Sequence, residues 1–170
     1  ITSEPSAARK AVVVSAMGGM TDALLALVEQ AVTGDADFGD ALDALESRYE
    51  TAAGRLLDRE ARADILSQWT RDREDIAGLL QAVTVVRAAP ERTFDVVAGY
   101  GEIWSARLLA ALVAQDCNDG RRVGWLDARD VVVVRQTKLG PSVVWPEARE
   151  RSASSPVLAG NDIVIVTGFI

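Results

Sequence analysis

Lys10 to Thr21 reads K-A-V-V-V-S-A-M-G-G-M-T. The run from Lys10 to Ala16 is β-branched, apolar and too short for a buried helix, which predicts a central strand buried on both faces. Gly18 and Gly19 interrupt it. Thr21-Asp22 then opens a helical pattern with Leu24, Leu25, Leu27, Val28, Ala31 and Val32 on one side, Thr21 as N-cap and Gly34 as the stop. A strand, a glycine turn and a helix make the opening unit of an α/β fold. Two glycines let a ligand reach the main chain, a helix N-terminus favours an anion, and Ser15 and Thr21 add hydroxyls. A tight turn leading into a capped helix fits the same residues, so the loop alone leaves both readings open.

Outward from this unit, Leu42, Leu45, Tyr49, Ala52 and Leu56 recur at helical spacing within Ala41 to Leu57. Glu60 to about Ala89 reads as one or two further helices ended by Pro90. Residues 21–89 are therefore a helical excursion without a strand, following a loose segment at 1–9. The acidic surplus of the chain lies mostly between Asp35 and Asp75 and is read as the solvated faces of these helices. Ala98 to Val113 is helical, or a strand at Phe94 to Ala98 feeding a helix. Val123 to Leu126 is a short strand, and Val131 to Val134 is β-prone. Lys138 to Pro141 is a turn, Ser142 to Trp145 is another candidate strand, and a short helix follows Pro146. Asp162 to Thr167, D-I-V-I-V-T, is the last strand, closed by Gly168. Alternating strands and helices predict one α/β domain with a mostly parallel sheet. The halt at Ile170, just after a buried-type strand, reads as truncation.

Gly99 to Ser105, G-Y-G-E-I-W-S, superficially matches a dinucleotide fingerprint, with Asp127 near the ribose position. Its third glycine is replaced by Trp104, where helix must pack on strand. The other reading makes Glu102 the functional group, a carboxylate at a helix start suited to a substrate ammonium. Thr167-Gly168-Phe169 suggests a crevice wall.

Composition removes several classes of chemistry. The 170 residues are 49% apolar and 25% charged, which suits a single globular domain. With no histidine, the chain holds no Ser-His-Asp triad and no histidine zinc site. Its single cysteine, Cys117, forms no internal disulfide and fits a reducing cytoplasm. A net charge of −7 argues against nucleic-acid binding. No signal peptide, membrane-length apolar run, repeat or P-loop is evident.

Four segments, taken in order, resemble the aspartate kinases of the amino acid kinase fold. They are V-V-V-S-A-M-G-G-M-T at Val12 to Thr21, G-Y-G-E at Gly99 to Glu102, W-L-D-A-R-D-V at Trp125 to Val131 and V-T-G-F-I at Val166 to Ile170. The resemblance spans Lys10 to Ile170 and implies a three-layer α/β/α sandwich, here cut at both ends. It further implies transfer of the γ-phosphoryl of ATP, with Mg2+, to the side-chain carboxylate of L-aspartate, the first step towards lysine, threonine and methionine. By resemblance Ser15 and Thr21, with the backbone of Gly18 and Gly19, would hold the β-carboxylate. Glu102 would hold the α-ammonium, and Phe169 would line the pocket. The family's opening K-F-G-G-T-S loop and its later T-T-x-G-R-G-G-S-D loop are not in this sequence, so the ATP site is expected outside it and the piece alone is expected to be inactive. Fusion to homoserine dehydrogenase or to diaminopimelate decarboxylase, and a homo-oligomer, stay open. The alternatives are a dinucleotide-binding module and a non-catalytic assembly fragment.

Overall fold

The computed structural model describes residues 9–138 and 140–168. Three parallel strands form the central sheet: β1 (Lys10–Val14), β2 (Val123–Leu126) and β5 (Ile163–Thr167), in the order β1-β5-β2. A separate antiparallel hairpin pairs β3 (Val134–Thr137) with β4 (Gly140–Val143). It is shifted from the expected strands, and Trp145 instead opens α5 (Trp145–Ser154), with proline near the helix start as expected. The short α6 (Pro156–Gly160) follows.

The last strand shows why the sheet is two-sided. Ile163 and Ile165 pack with Ala106 and Ala110 of α4 (Glu91–Asp116), while Val164 packs on the opposite face with Leu126 and Val131, beside Val157 and Leu158 of α6. Alternate side chains of one strand thus enter two different cores, the mark of a buried parallel strand. The result is a sheet with helices on both faces, the α/β/α arrangement.

β1 departs from expectation. It is an edge strand with Val13 68% exposed, not a central strand buried on both faces. Its apolar run satisfies the sequence criterion, but the neighbour that would bury it is absent on that side among the described residues.

Residues 20–86 form three helices: α1 (Met20–Val32), α2 (Gly39–Leu56) and α3 (Arg59–Val86), the last one continuous. Leu24, Leu27, Val28, Tyr49, Trp69, Ile76 and Leu80 meet Trp104 and Leu108 of α4 in the largest core cluster. α3 starts at Asp58, whose carboxylate accepts from the Ala61 N–H at 2.9 Å. α1 starts differently. Its N-cap is Gly19 at φ 74°, with no side-chain cap, so Thr21 lies inside the first turn and is not the cap. Left-handed φ at that point requires glycine.

The strand expected at Phe94 to Ala98 is the first part of α4. α4 packs against the sheet on one side and against α1 and α3 on the other. It is apolar nearly all round, which hides helical periodicity. It is also the one helix among the described residues long and apolar enough to cross a membrane, and here it is the core helix of an α/β fold.

Candidate functional site

Parallel strands present their C-terminal ends to one side, where α/β proteins bind ligands. Here Val14, Thr167 and Leu126 end neighbouring strands. Ser15 to Gly19 follows the first, Gly168 the second and Asp127 the third. Thr167 fixes two of these together: its hydroxyl accepts from the Ala128 N–H at 2.9 Å.

Glu102 reaches this edge from the middle of α4, not from a helix start, and is only 4% exposed. Its Oε1 accepts from the Ser15 hydroxyl at 3.1 Å and its Oε2 from the Gly168 N–H at 3.3 Å. One carboxylate therefore ties the loop after β1 to the loop after β5. A buried acid of this kind is costly unless it is hydrogen-bonded or meets a cation. Each oxygen still has a lone pair for a further donor.

Two glycines make the approach feasible. A Cβ at Gly101 would lie 3.1 Å from the Ala16 Cβ and 3.5 Å from Leu24 Cδ1, so glycine lets α4 press against the β1–α1 loop. A Cβ at Gly168 would lie 2.8 Å from the Val14 carbonyl oxygen and 3.0 Å from Glu102 Oε2. Gly168→Ala is accordingly expected to destabilise the protein by about 1–3 kcal/mol through overpacking. It should also move Glu102; chemical unfolding of the variant measures the first effect and substrate affinity the second.

Gly101 of G-Y-G-E thus serves helix packing. The segment is helical throughout, so the strand–turn–helix geometry of a dinucleotide fingerprint is not formed there. Asp127, near the ribose position of that motif, is engaged otherwise. It accepts from the Arg129 N–H at 3.0 Å and pairs with the Arg129 guanidinium at 2.5 Å, which raises the Arg129 pKa. Trp104, the misfit at the third glycine, is fully buried among Tyr49, Trp69 and Tyr100, with ring centroids 5.6–6.1 Å apart. Burial raises the pKa of both Tyr49 and Tyr100.

Of the expected site residues, Ser15, Gly18, Gly19, Thr21 and Glu102 come together around the β1–α1 loop. Phe169 lies outside the described residues. Sequence reading missed two groups. Arg48 of α2 donates from Nη2 to the Gly18 carbonyl at 2.5 Å. Asp72 of α3 is buried, not solvated. It accepts from Trp104 Nε1 at 2.9 Å and from Arg107 Nη1, and the Arg107 guanidinium lies 4.8 Å from the Trp125 ring centroid. Arg48 is findable only through its tertiary contact, whereas Asp72 falls on the same helical stripe as Ile65, Trp69 and Ile76, a register that marks it as buried.

The parallel sheet with helices on both faces is the amino acid kinase fold, with one buried carboxylate at its strand ends. Residues across 92–93% of the chain superpose on two solved structures of E. coli aspartokinase III, one with lysine and aspartate (TM-score 0.71) and one with aspartate and ADP (TM-score 0.70), each at 22% identity and covering 33% of that chain. The chain is also 34% identical over 165 residues, 95% of its length, to bifunctional aspartokinase/homoserine dehydrogenase 2 of Arabidopsis thaliana chloroplasts. It is a relative of the aspartokinases, and it spans 18% of the length of that plant protein. No family model matches it.

Proposed function

We propose that this chain forms the amino-acid-binding part of an aspartate kinase, which transfers the γ-phosphoryl of ATP to the side-chain carboxylate of L-aspartate. The observation that carries the reading is the buried Glu102 carboxylate between Ser15 and Gly168 at the strand ends. Glu102 has lone pairs to take the α-ammonium, and the fixed negative charge selects an amino acid over a plain diacid. Ser15, Thr21 and the main-chain N–H groups of the Gly18-Gly19 turn then receive the β-carboxylate at the start of α1, where the helix dipole favours an anion. Phosphoryl transfer asks chiefly for such positioning and charge neutralisation, which a site without histidine can supply. The carboxylate oxygen attacks the γ-phosphorus, the bond to the β,γ-bridging oxygen breaks, and ADP leaves.

Among the described residues no group of three or more acidic or thiol side chains is placed to hold a metal ion; Mg2+ in phosphoryl transfer is commonly held by one or two carboxylates together with the substrate phosphates. The family's K-F-G-G-T-S and T-T-x-G-R-G-G-S-D loops are not in this sequence, so the ATP phosphates are expected on other parts of the protein. The E. coli aspartokinase III structure with aspartate and ADP supports the choice of substrates. The names of the plant relatives favour homoserine dehydrogenase over diaminopimelate decarboxylase as the fused activity.

The test is L-aspartate-dependent ADP release by the full-length protein that carries this chain, with hydroxylamine present to trap the acyl phosphate as a hydroxamate. Aspartate-dependent hydroxamate is expected. ADP release indifferent to aspartate, with no aspartate binding by calorimetry, would overturn the reading.

A further inference from the structure

Met17 to Met20 is a hydrogen-bonded β-turn. The Met20 N–H donates to the Met17 carbonyl at 2.9 Å, and Gly19 has φ 74° and ψ 4°. Those angles at the third residue belong to a type II turn. The peptide joining Gly18 to Gly19 is the central peptide of that turn. Its carbonyl accepts from Arg48 Nη2, thirty residues on in sequence and on another helix. The guanidinium also stands over the turn: a Cβ at Gly19 would lie 3.7 and 3.8 Å from its two terminal nitrogens. Among the described residues no carboxylate forms an ion pair with Arg48.

In a trans peptide the C=O and N–H point in opposite directions. A grip on the Gly18 carbonyl therefore also sets the direction of the Gly19 N–H. Type I and type II turns differ by reversal of this one peptide, and glycine on both sides makes that reversal easy. Reversal would exchange a main-chain donor for a main-chain acceptor at the same place.

We propose that Arg48 is a positioning residue that holds this turn in its type II form, so that the Gly19 N–H rather than the Gly18 carbonyl meets the carboxylate of an acidic amino-acid substrate. The inference rests on the reading of this loop as the carboxylate site. Arg48 touches the turn and not the substrate. Its effect falls on the amino acid and leaves the nucleotide alone.

Steady-state kinetics of the full-length protein, with L-aspartate and ATP varied separately, test it. Arg48→Ala is expected to raise KM for aspartate about tenfold, the effect of losing one charge-assisted hydrogen bond, with KM for ATP unchanged. Arg48→Lys, which can still donate to Gly18, should recover most of the loss. Gly19→Ala disfavours the left-handed turn and should reproduce it. The double variant should be little worse than either single one, because both release the same peptide. Arg55→Ala, two turns further along α2, serves as the exposed-arginine control with KM unchanged. If Arg48→Ala moves both KM values alike, or neither, while Glu102→Gln still destroys aspartate use, the latch is overturned and the site stands. If Glu102→Gln also leaves aspartate use intact, the reading of the site fails and the latch falls with it.

Discussion

Glu102→Gln is expected to raise KM for L-aspartate by about a hundredfold to a thousandfold while changing kcat much less. The substitution removes the one buried negative charge that the substrate ammonium would meet, and a buried charge left without its partner costs about 3–5 kcal/mol. The ammonium lies remote from the reacting carboxylate and is bound alike before and during phosphoryl transfer, so the loss belongs to KM. Glutamine keeps one oxygen for the Gly168 N–H and can turn its NH2 group to the Ser15 hydroxyl, so the fold should survive. A thermal midpoint close to the parent's, measured beside the kinetics, separates lost binding from lost folding. An unchanged KM for aspartate would end the ammonium role.

The second large effect is on stability. Asp72→Ala is expected to cost about 3–5 kcal/mol, because it strands the Arg107 guanidinium in a mostly buried site. It also strips Trp104 Nε1 of its acceptor. For a domain of this size that corresponds to a fall in Tm of about 10 °C. Asp64→Ala, eight residues earlier on an exposed part of the same helix, should shift stability by less than about 0.5 kcal/mol. Urea unfolding of the two variants compares them directly, and equal midpoints would refute the buried pair. Arg107→Met added to Asp72→Ala should restore part of the loss, since removing both charges leaves none stranded.

The contrast between those two aspartates shows what the sequence made legible. Spacing alone found the helices of residues 20–86, because each has one apolar stripe and one wet face. It found β5 because a short isoleucine–valine run between turns has few other uses. Asp72 sits on the stripe of Ile65, Trp69 and Ile76, and reading it as part of a solvated face ignored that register. α4 was blurred for the opposite reason: covered on both sides, it has no polar stripe to give the helical period. The valines of β1 read as an interior strand, whereas its burial depends on what lies beside it. At the site, the glycine turn, Ser15 and Glu102 were identifiable as residues. Their convergence, with Glu102 clamped between Ser15 and Gly168, depends on how closely Gly101 and Gly168 let the elements approach. Arg48 had no sequence signal, since nothing in the spacing from Gly18 predicts a contact.

The strand order β1-β5-β2 also dictates a history for each molecule. The middle strand is the last of the five to leave the ribosome, and β1 and β2 do not hydrogen-bond to each other. The helices from Met20 to Asp116 can collapse on one another while the chain is still being made, since their partners are near in sequence. The sheet has no such option. β1 cannot pair with β5 until residues 15–162 have been made. The edge that holds Glu102, which needs Gly168 against its carboxylate, is thus completed only once β5 has docked. A nascent chain that stalls before Ile163 would carry a folded helical half and a valine strand without its β5 partner, the kind of exposed edge that chaperones hold and that aggregates when they do not.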